Sequence, residues 1–248
     1  MVNASTDSNP TTSVLTSAGT IELPVVYEDG SLLGLLYAVD ATTAQQLIAT
    51  DLLRPLTLFG RALALVIAFE YRRTSIGAYN EFGIAILSKC RESRTSAWLA
   101  LTSPHHVRTA GWFVVNLPVT TELALACGIE TWGYPKYVSR ITTDFASDEV
   151  RVELERELEI IQRSWRPIRL GAKPIVTLTM LRERILRTAM SPRYRMSFGG
   201  TGTTSLRIVG DGPTAATARR LELDRRRPLV TFRADELRST LPAGEFVG

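Results

Sequence analysis

The chain has 248 residues, 45% of them hydrophobic and 22% charged, and a formal net charge of +4. These are ordinary values for a globular protein, and the length allows a real core without disulfide or metal staples. Its two cysteines, Cys90 and Cys127, form no CxxC pair, which argues for reduced core thiols and against a secreted disulfide scaffold.

Residues 1–19 are rich in Ser, Thr, Ala and Asn and lack the basic start and apolar run of a signal peptide, so a mobile tail ahead of a domain at 20–248 is expected. No stretch is apolar for long enough to predict a membrane-spanning helix, and the cytoplasm is the expected compartment. Ile21–Tyr27 and Leu32–Val39 read as two strands, with Asp29-Gly30 as the turn of a hairpin. Asp40 suits the N-cap of a short helix through Ile48. Ala62–Phe69 is a continuous apolar run of buried-strand type, and Phe82–Leu87 and Trp112–Leu117 are further strands. Thr120 is placed to cap a helix that Gly128 would end. Between 150 and 161 the apolar residues fit both a strand and a helix period, and strands are preferred. Pro174–Leu181, Ser205–Val209 and Leu229–Phe232 read as strands, and Pro213 as the first turn of a helix. Arg219, Arg220, Arg225, Arg226 and Arg227 form the densest basic cluster. Without interleaved aromatics it reads as a solvated face, so neither nucleic acid nor a membrane is expected as a partner. Many strands with a few short helices predict an α+β, mainly β fold built on one antiparallel, barrel-like sheet.

The most informative segment is Gly128-Ile129-Glu130-Thr131-Trp132-Gly133-Tyr134-Pro135-Lys136-Tyr137. Gly133 permits unusual backbone angles and Pro135 pushes Tyr134 toward an extended conformation, so the segment is a rigid elbow aiming Lys136. Trp132, Tyr134 and Tyr137 can exclude water around it. A lysine kept from water loses the solvation of its ammonium form and presents a free amine, able to attack a ketone and form a Schiff base. The residues by themselves favour a surface lysine whose stem lies over aromatic rings.

Glu130-x-x-Gly133-x-Pro135-Lys136 resembles the active-site signature of the acetoacetate decarboxylase superfamily, in which the lysine after proline forms the Schiff base. Tyr79-Asn80-Glu81-Phe82-Gly83, Gly202-Thr203-Thr204-Ser205-Leu206 and Leu241-Pro242-Ala243-Gly244-Glu245 resemble further landmarks in the same order. The resemblance implies an antiparallel barrel or cone-like sheet, a homo-oligomer, and a lyase acting on a small keto acid. Lys136 would be the nucleophile and Glu81 the acid/base. Glu70 is a second candidate acid and Glu130 a supporting residue. No metal, flavin, nucleotide or pyridoxal cofactor is expected, because the lysine itself provides the electron sink.

Two departures from the decarboxylases stand out. Tyr137 occupies the place of the second lysine that follows the catalytic one, and no arginine stands where they bind substrate in the early strands; Arg72 and Arg73 are the nearest substitutes. The enzyme alternative is an aldolase-dehydratase joining a 2-keto acid such as pyruvate to an aldehyde. An alternative of another class is a non-catalytic ligand-binding member of the fold. His105-His106, with no third histidine, predicts no metal site. Gly199-Gly200-Thr201-Gly202 lacks the ending of a phosphate-binding loop.

Overall fold

Residues 11–104, 106–147, 149–163, 165–171 and 174–248 are described in the computed structural model. A hairpin of β1 (Thr12–Thr16) and β2 (Gly19–Leu23) leads into β3 (Val25–Val39), α1 (Ala41–Ile48), β4 (Leu53–Pro55) and β5 (Thr57–Leu58). The long pair β6 (Arg61–Thr74) and β7 (Tyr79–Cys90) is followed by α2 (Ala97–Thr102), β8 (Ala110–Asn116) and α3 (Glu122–Trp132). Then come β9 (Ile141–Asp144), β10 (Val150–Leu154), β11 (Leu158–Gln162), β12 (Trp165–Gly171), β13 (Ile175–Leu181), β14 (Arg184–Arg193) and β15 (Arg195–Gly199). β16 (Thr204–Ile208), α4 (Pro213–Arg220), β17 (Val230–Ala234), β18 (Arg238–Leu241) and β19 (Glu245–Val247) complete the chain.

Among the described residues, seven strands close on themselves in the order β3, β18, β14, β13, β8, β7, β6 and back to β3. Every pairing in this ring is antiparallel except β8 with β13. Closure satisfies the backbone groups that an open sheet would leave at its edges. The mainly β, barrel-like architecture expected from the sequence is the one observed.

Both faces of β6 are covered, which explains its unbroken apolar text. Ala62, Ala64, Val66 and Ala68 pack outward against the small sheet β16–β11–β10–β9 and α4, while Leu65, Ile67, Phe69 and Tyr71 face the ring interior. Each of the larger side chains, such as Val66, Leu65 and Ile67, contributes roughly 1.5–3 kcal/mol on burial, and each alanine methyl less. The segment 150–162 forms two strands, as preferred, because its alternate residues Val150, Val152 and Leu154 bury against this outer core.

Three expectations need correction. Asp29-Gly30 is not a hairpin turn: β3 runs straight through it with an irregular register against β6. Arg72 on β6 donates to Asp29 through Nε and Nη2, both at 2.9 Å, and a Cβ on Gly30 would lie 2.6 Å from the Glu70 carbonyl oxygen. The irregularity reverses the strand's facing, so that Tyr27 and Leu32 both look into the ring while Leu33 and Leu35 look out. Second, residues 12–19 are not a tail but most of the β1–β2 hairpin, and Ser17 is anchored to Glu130; residues 1–10 lie outside the described residues. Third, α3 is capped by Thr121 rather than Thr120 and continues past Gly128 to Gly133, which takes the left-handed conformation at φ 65°. β14, β15, β18 and α2 went unpredicted.

Candidate active site

Three neighbouring backbone segments bring the site together. Lys136 follows the elbow at the end of α3, where the Tyr134 N–H donates to Gly128 O at 3.1 Å and the Leu117 N–H to Pro135 O at 3.2 Å. Val119 bridges Glu81 on one side and Val138 on the other, so it clamps the lysine segment beside β7. Along β7, Tyr79, Glu81, Gly83 and Ala85 share one facing and line the same cavity.

Within that cavity the Lys136 Nζ donates to Glu81 Oε2 at 2.7 Å. The two side chains are 5% and 11% exposed, so this is a buried pair of opposite chemistry rather than a surface salt bridge. Nζ also sits 5.7 Å from the Tyr79 ring centre and 5.8 Å from that of Tyr134. The lysine stem passes over Gly128, where a Cβ would overlap its Cδ and Cε. The cavity measures about 70 Å³ and is otherwise lined mainly by apolar and aromatic side chains, among them Leu65, Ile67, Trp112 and Trp132.

Buried phenols supply its remaining polarity. The hydroxyls of Tyr27 and Tyr79 are 3.2 Å apart, and that of Tyr134 lies 2.8 Å from Thr177 Oγ1. Burial pushes all three phenols well above their ordinary range, so they stay protonated and can donate. Cys127 also lines the cavity, its thiol raised by burial.

The structure thus brings together four of the residues singled out in the sequence: Lys136, Glu81, Trp132 and Tyr134. The other three lie elsewhere. Glu70 points to the opposite face of β6, accepting from Arg72 Nη1 at 2.6 Å. Glu130 accepts from the Ser17 hydroxyl at 2.5 Å. Tyr137 turns away from the cavity and donates to Glu157 at 2.6 Å, which in turn accepts from the Ala215 N–H at the start of α4. Arg72 and Arg73 are held by Asp29, Glu70 and Glu28 outside the cavity and do not supply the missing substrate cation. Tyr27 and Thr177 were missed; Tyr27 carried a signal, since an isolated tyrosine in an apolar strand needs a partner for its hydroxyl. His105 lies outside the described residues.

The family model described as acetoacetate decarboxylase matches residues 10–162. No curated protein matches the chain. Among solved structures, an acetoacetate decarboxylase from Legionella pneumophila superposes with a TM-score of 0.69 at 15% identity, covering 100% of this chain and 98% of that one. An acetoacetate decarboxylase-like enzyme from Sphingomonas wittichii RW1 gives 0.62 at 14% identity, covering 90% and 93%. The enduracididine biosynthesis enzyme MppR, complexed with the condensation product of pyruvate and imidazole 4-carboxaldehyde, gives 0.59 at 13% identity, covering 90% and 88%. At these identities the superpositions speak for the fold. No helix among the described residues is long and apolar enough to cross a membrane.

Proposed function

The chain belongs to the acetoacetate decarboxylase family, and from that premise we propose that it is a Schiff-base-forming lyase acting on a small keto acid. Lys136 is its nucleophile and Glu81 its acid/base. The observation that carries this reading is the 2.7 Å contact between Lys136 Nζ and Glu81 inside a water-poor, aromatic cavity.

The reaction starts from the form in which the shared proton lies on Glu81 and Lys136 is a free amine. The amine adds to the ketone carbon, Glu81 gives its proton to the departing oxygen, and water leaves, giving an iminium. The bond to the carboxylate carbon then breaks; carbon dioxide departs and the electron pair passes into the iminium as an enamine. Glu81, within reach of the lysine nitrogen and reprotonated from solvent, delivers that proton to the enamine carbon. Water hydrolyses the remaining imine and releases the ketone. The protonated phenols of Tyr27, Tyr79 and Tyr134 are the donors available to a substrate carboxylate or carbonyl oxygen.

A second reading, an aldolase-dehydratase, uses the same lysine. Among the described residues lining the cavity there is no arginine, which weakens acetoacetate as the substrate, although a 2-keto acid's carboxylate would meet the same phenols.

Borohydride trapping with intact-mass and peptide analysis tests the proposal, with acetoacetate and pyruvate offered separately. A reduced adduct on Lys136, absent in Lys136→Ala, is expected, and the keto acid that labels assigns decarboxylase or aldolase-dehydratase. Glu81→Gln should still trap adduct but turn over about 10²–10⁴-fold more slowly. If a wide keto-acid panel leaves Lys136 unlabelled, the protein is a non-catalytic binding member of the fold.

A further inference from the structure

The lysine cavity is small and shares a wall with a larger chamber. Leu65, Ile67, Trp112 and Ile175 line both. On the far side of these four side chains the chamber measures about 390 Å³ and, among the described residues, has no charged side chain in its lining. Its walls come from the ring and from the β15–β17 extension of the sheet, through Leu36, Met196, Phe198 and Phe232, with Ala100 of α2 closing one side. Phe232 faces Gly34 across the β3–β17 pair, and a Cβ at Gly34 would overlap its ring. The glycine therefore lets the ring lie flat against the sheet and fixes part of the chamber wall.

Several of these side chains, among them Met196, Phe198 and Phe232, are only half-buried, so the chamber leaves apolar surface uncovered. Trp112 packs against both the ring-interior cluster and the cluster under α2, at the junction between the two spaces.

We infer that the chamber is a specificity subsite for an apolar chain on the keto substrate. The substrate class is a keto acid whose carbonyl reaches Lys136 while an alkyl or aryl substituent extends past Trp112 and Ile175. This rests on the Schiff-base reading and deepens it. The 70 Å³ beside the lysine suits the reacting carbons, and the wall beyond, whose described side chains are apolar or aromatic, disfavours an ionic extension, since no charged group among them would offset its desolvation. The ketone products form an imine with the same lysine, lacking only the carboxylate, so chain length can be tested without the decarboxylation step.

The experiment is borohydride trapping of the full-length protein with acetone, 2-pentanone, 2-heptanone and 2-nonanone, reading the ketone concentration for half-maximal labelling of Lys136. The expected result is a fall of roughly two- to fourfold per added methylene. Ala100→Phe on α2 and Met196→Trp on β15, each of which fills the chamber, should flatten the series and leave acetone labelling unchanged; either variant suffices if the other fails to fold. Acetone labelling with no chain-length dependence overturns the subsite, and so does a dependence that survives both substitutions. Labelling by no ketone at all overturns the Schiff-base reading instead. A chamber covered by a second copy of the chain would give the flat series, and so counts against the proposal.

Discussion

Glu81 and Glu70 show how much a single side chain's facing decides. Both lie on ring strands, and both are acidic residues next to aromatic ones in the sequence. Glu81 shares its facing with Tyr79 and Gly83 and meets Lys136 inside the ring, whereas Glu70 sits between the inward-facing Phe69 and Tyr71 and so points outward. The period of two along a strand makes that difference readable once one neighbour's facing is known. Gly128 is the other decisive position. Alanine is favoured over glycine inside a helix by about 1 kcal/mol, so Gly128→Ala should leave stability within about that amount of the parent. Its Cβ would, however, displace the lysine stem. Borohydride labelling is therefore expected to fall tenfold or more while thermal unfolding changes little; unchanged labelling would mean that the lysine reaches its substrate by another path.

At the scale of elements, the junction of α3 with the elbow aims the lysine. Trp132 anchors the end of the helix twice: its indole N–H donates to Pro242 O at 2.9 Å, and its carbonyl accepts from Thr179 Oγ1 at 2.5 Å. Gly133 then turns the chain at φ 65°, and a Cβ there would lie 2.5 Å from the Met180 carbonyl oxygen. Gly133→Ala combines a left-handed non-glycine residue with a backbone collision, and should destabilise by about 2 kcal/mol or more. Chemical denaturation reads this as a lowered midpoint at constant slope; a loss below about 0.5 kcal/mol would show that the elbow relaxes freely. Beyond the lysine, Tyr137 and Glu157 tie the same segment to α4, so Tyr137 serves attachment. Several of the C-terminal arginines likewise tie backbone: Arg219 donates to Gly210 O at 2.6 Å and Arg226 to Leu221 O at 3.2 Å, in keeping with a solvated structural face.

For the molecule as a whole, packing inside and around the ring withdraws most of its tyrosines from water. Burial pushes the phenols of all seven tyrosines above their ordinary value. In the unfolded chain these groups ionise near pH 10, while the folded chain holds their protons to higher pH. The stabilisation this provides is complete below about pH 10 and is lost as the pH rises toward the raised folded values. Phenolate absorbance should therefore stay low through pH 10 and then appear together with loss of the native circular dichroism. Several phenolates appearing near pH 10 in a chain that keeps its native spectrum would contradict the buried tyrosine interior.

The sequence by itself determined the strand-rich character, the apolar runs that became β6, β7 and β8, and the elbow leading to Lys136. These follow from local periodicity and from Gly and Pro chemistry, which act within a few residues. It also carried Glu81 and Lys136 as a candidate pair, through motif resemblance rather than through any visible contact between residues 55 positions apart. Only the tertiary structure decided that Asp29-Gly30 is a bulge and not a turn, because Arg72 and the Glu70 carbonyl reach it from a strand some 40 residues later. It alone moved the end of α3 from Gly128 to Gly133: the first glycine answers to the lysine stem folded back over it and the second to the distant Met180. The tyrosine-lined interior and the adjoining apolar chamber belong to the same class. They arise from closing strands distant in sequence into one ring, and no window of local sequence contains that geometry.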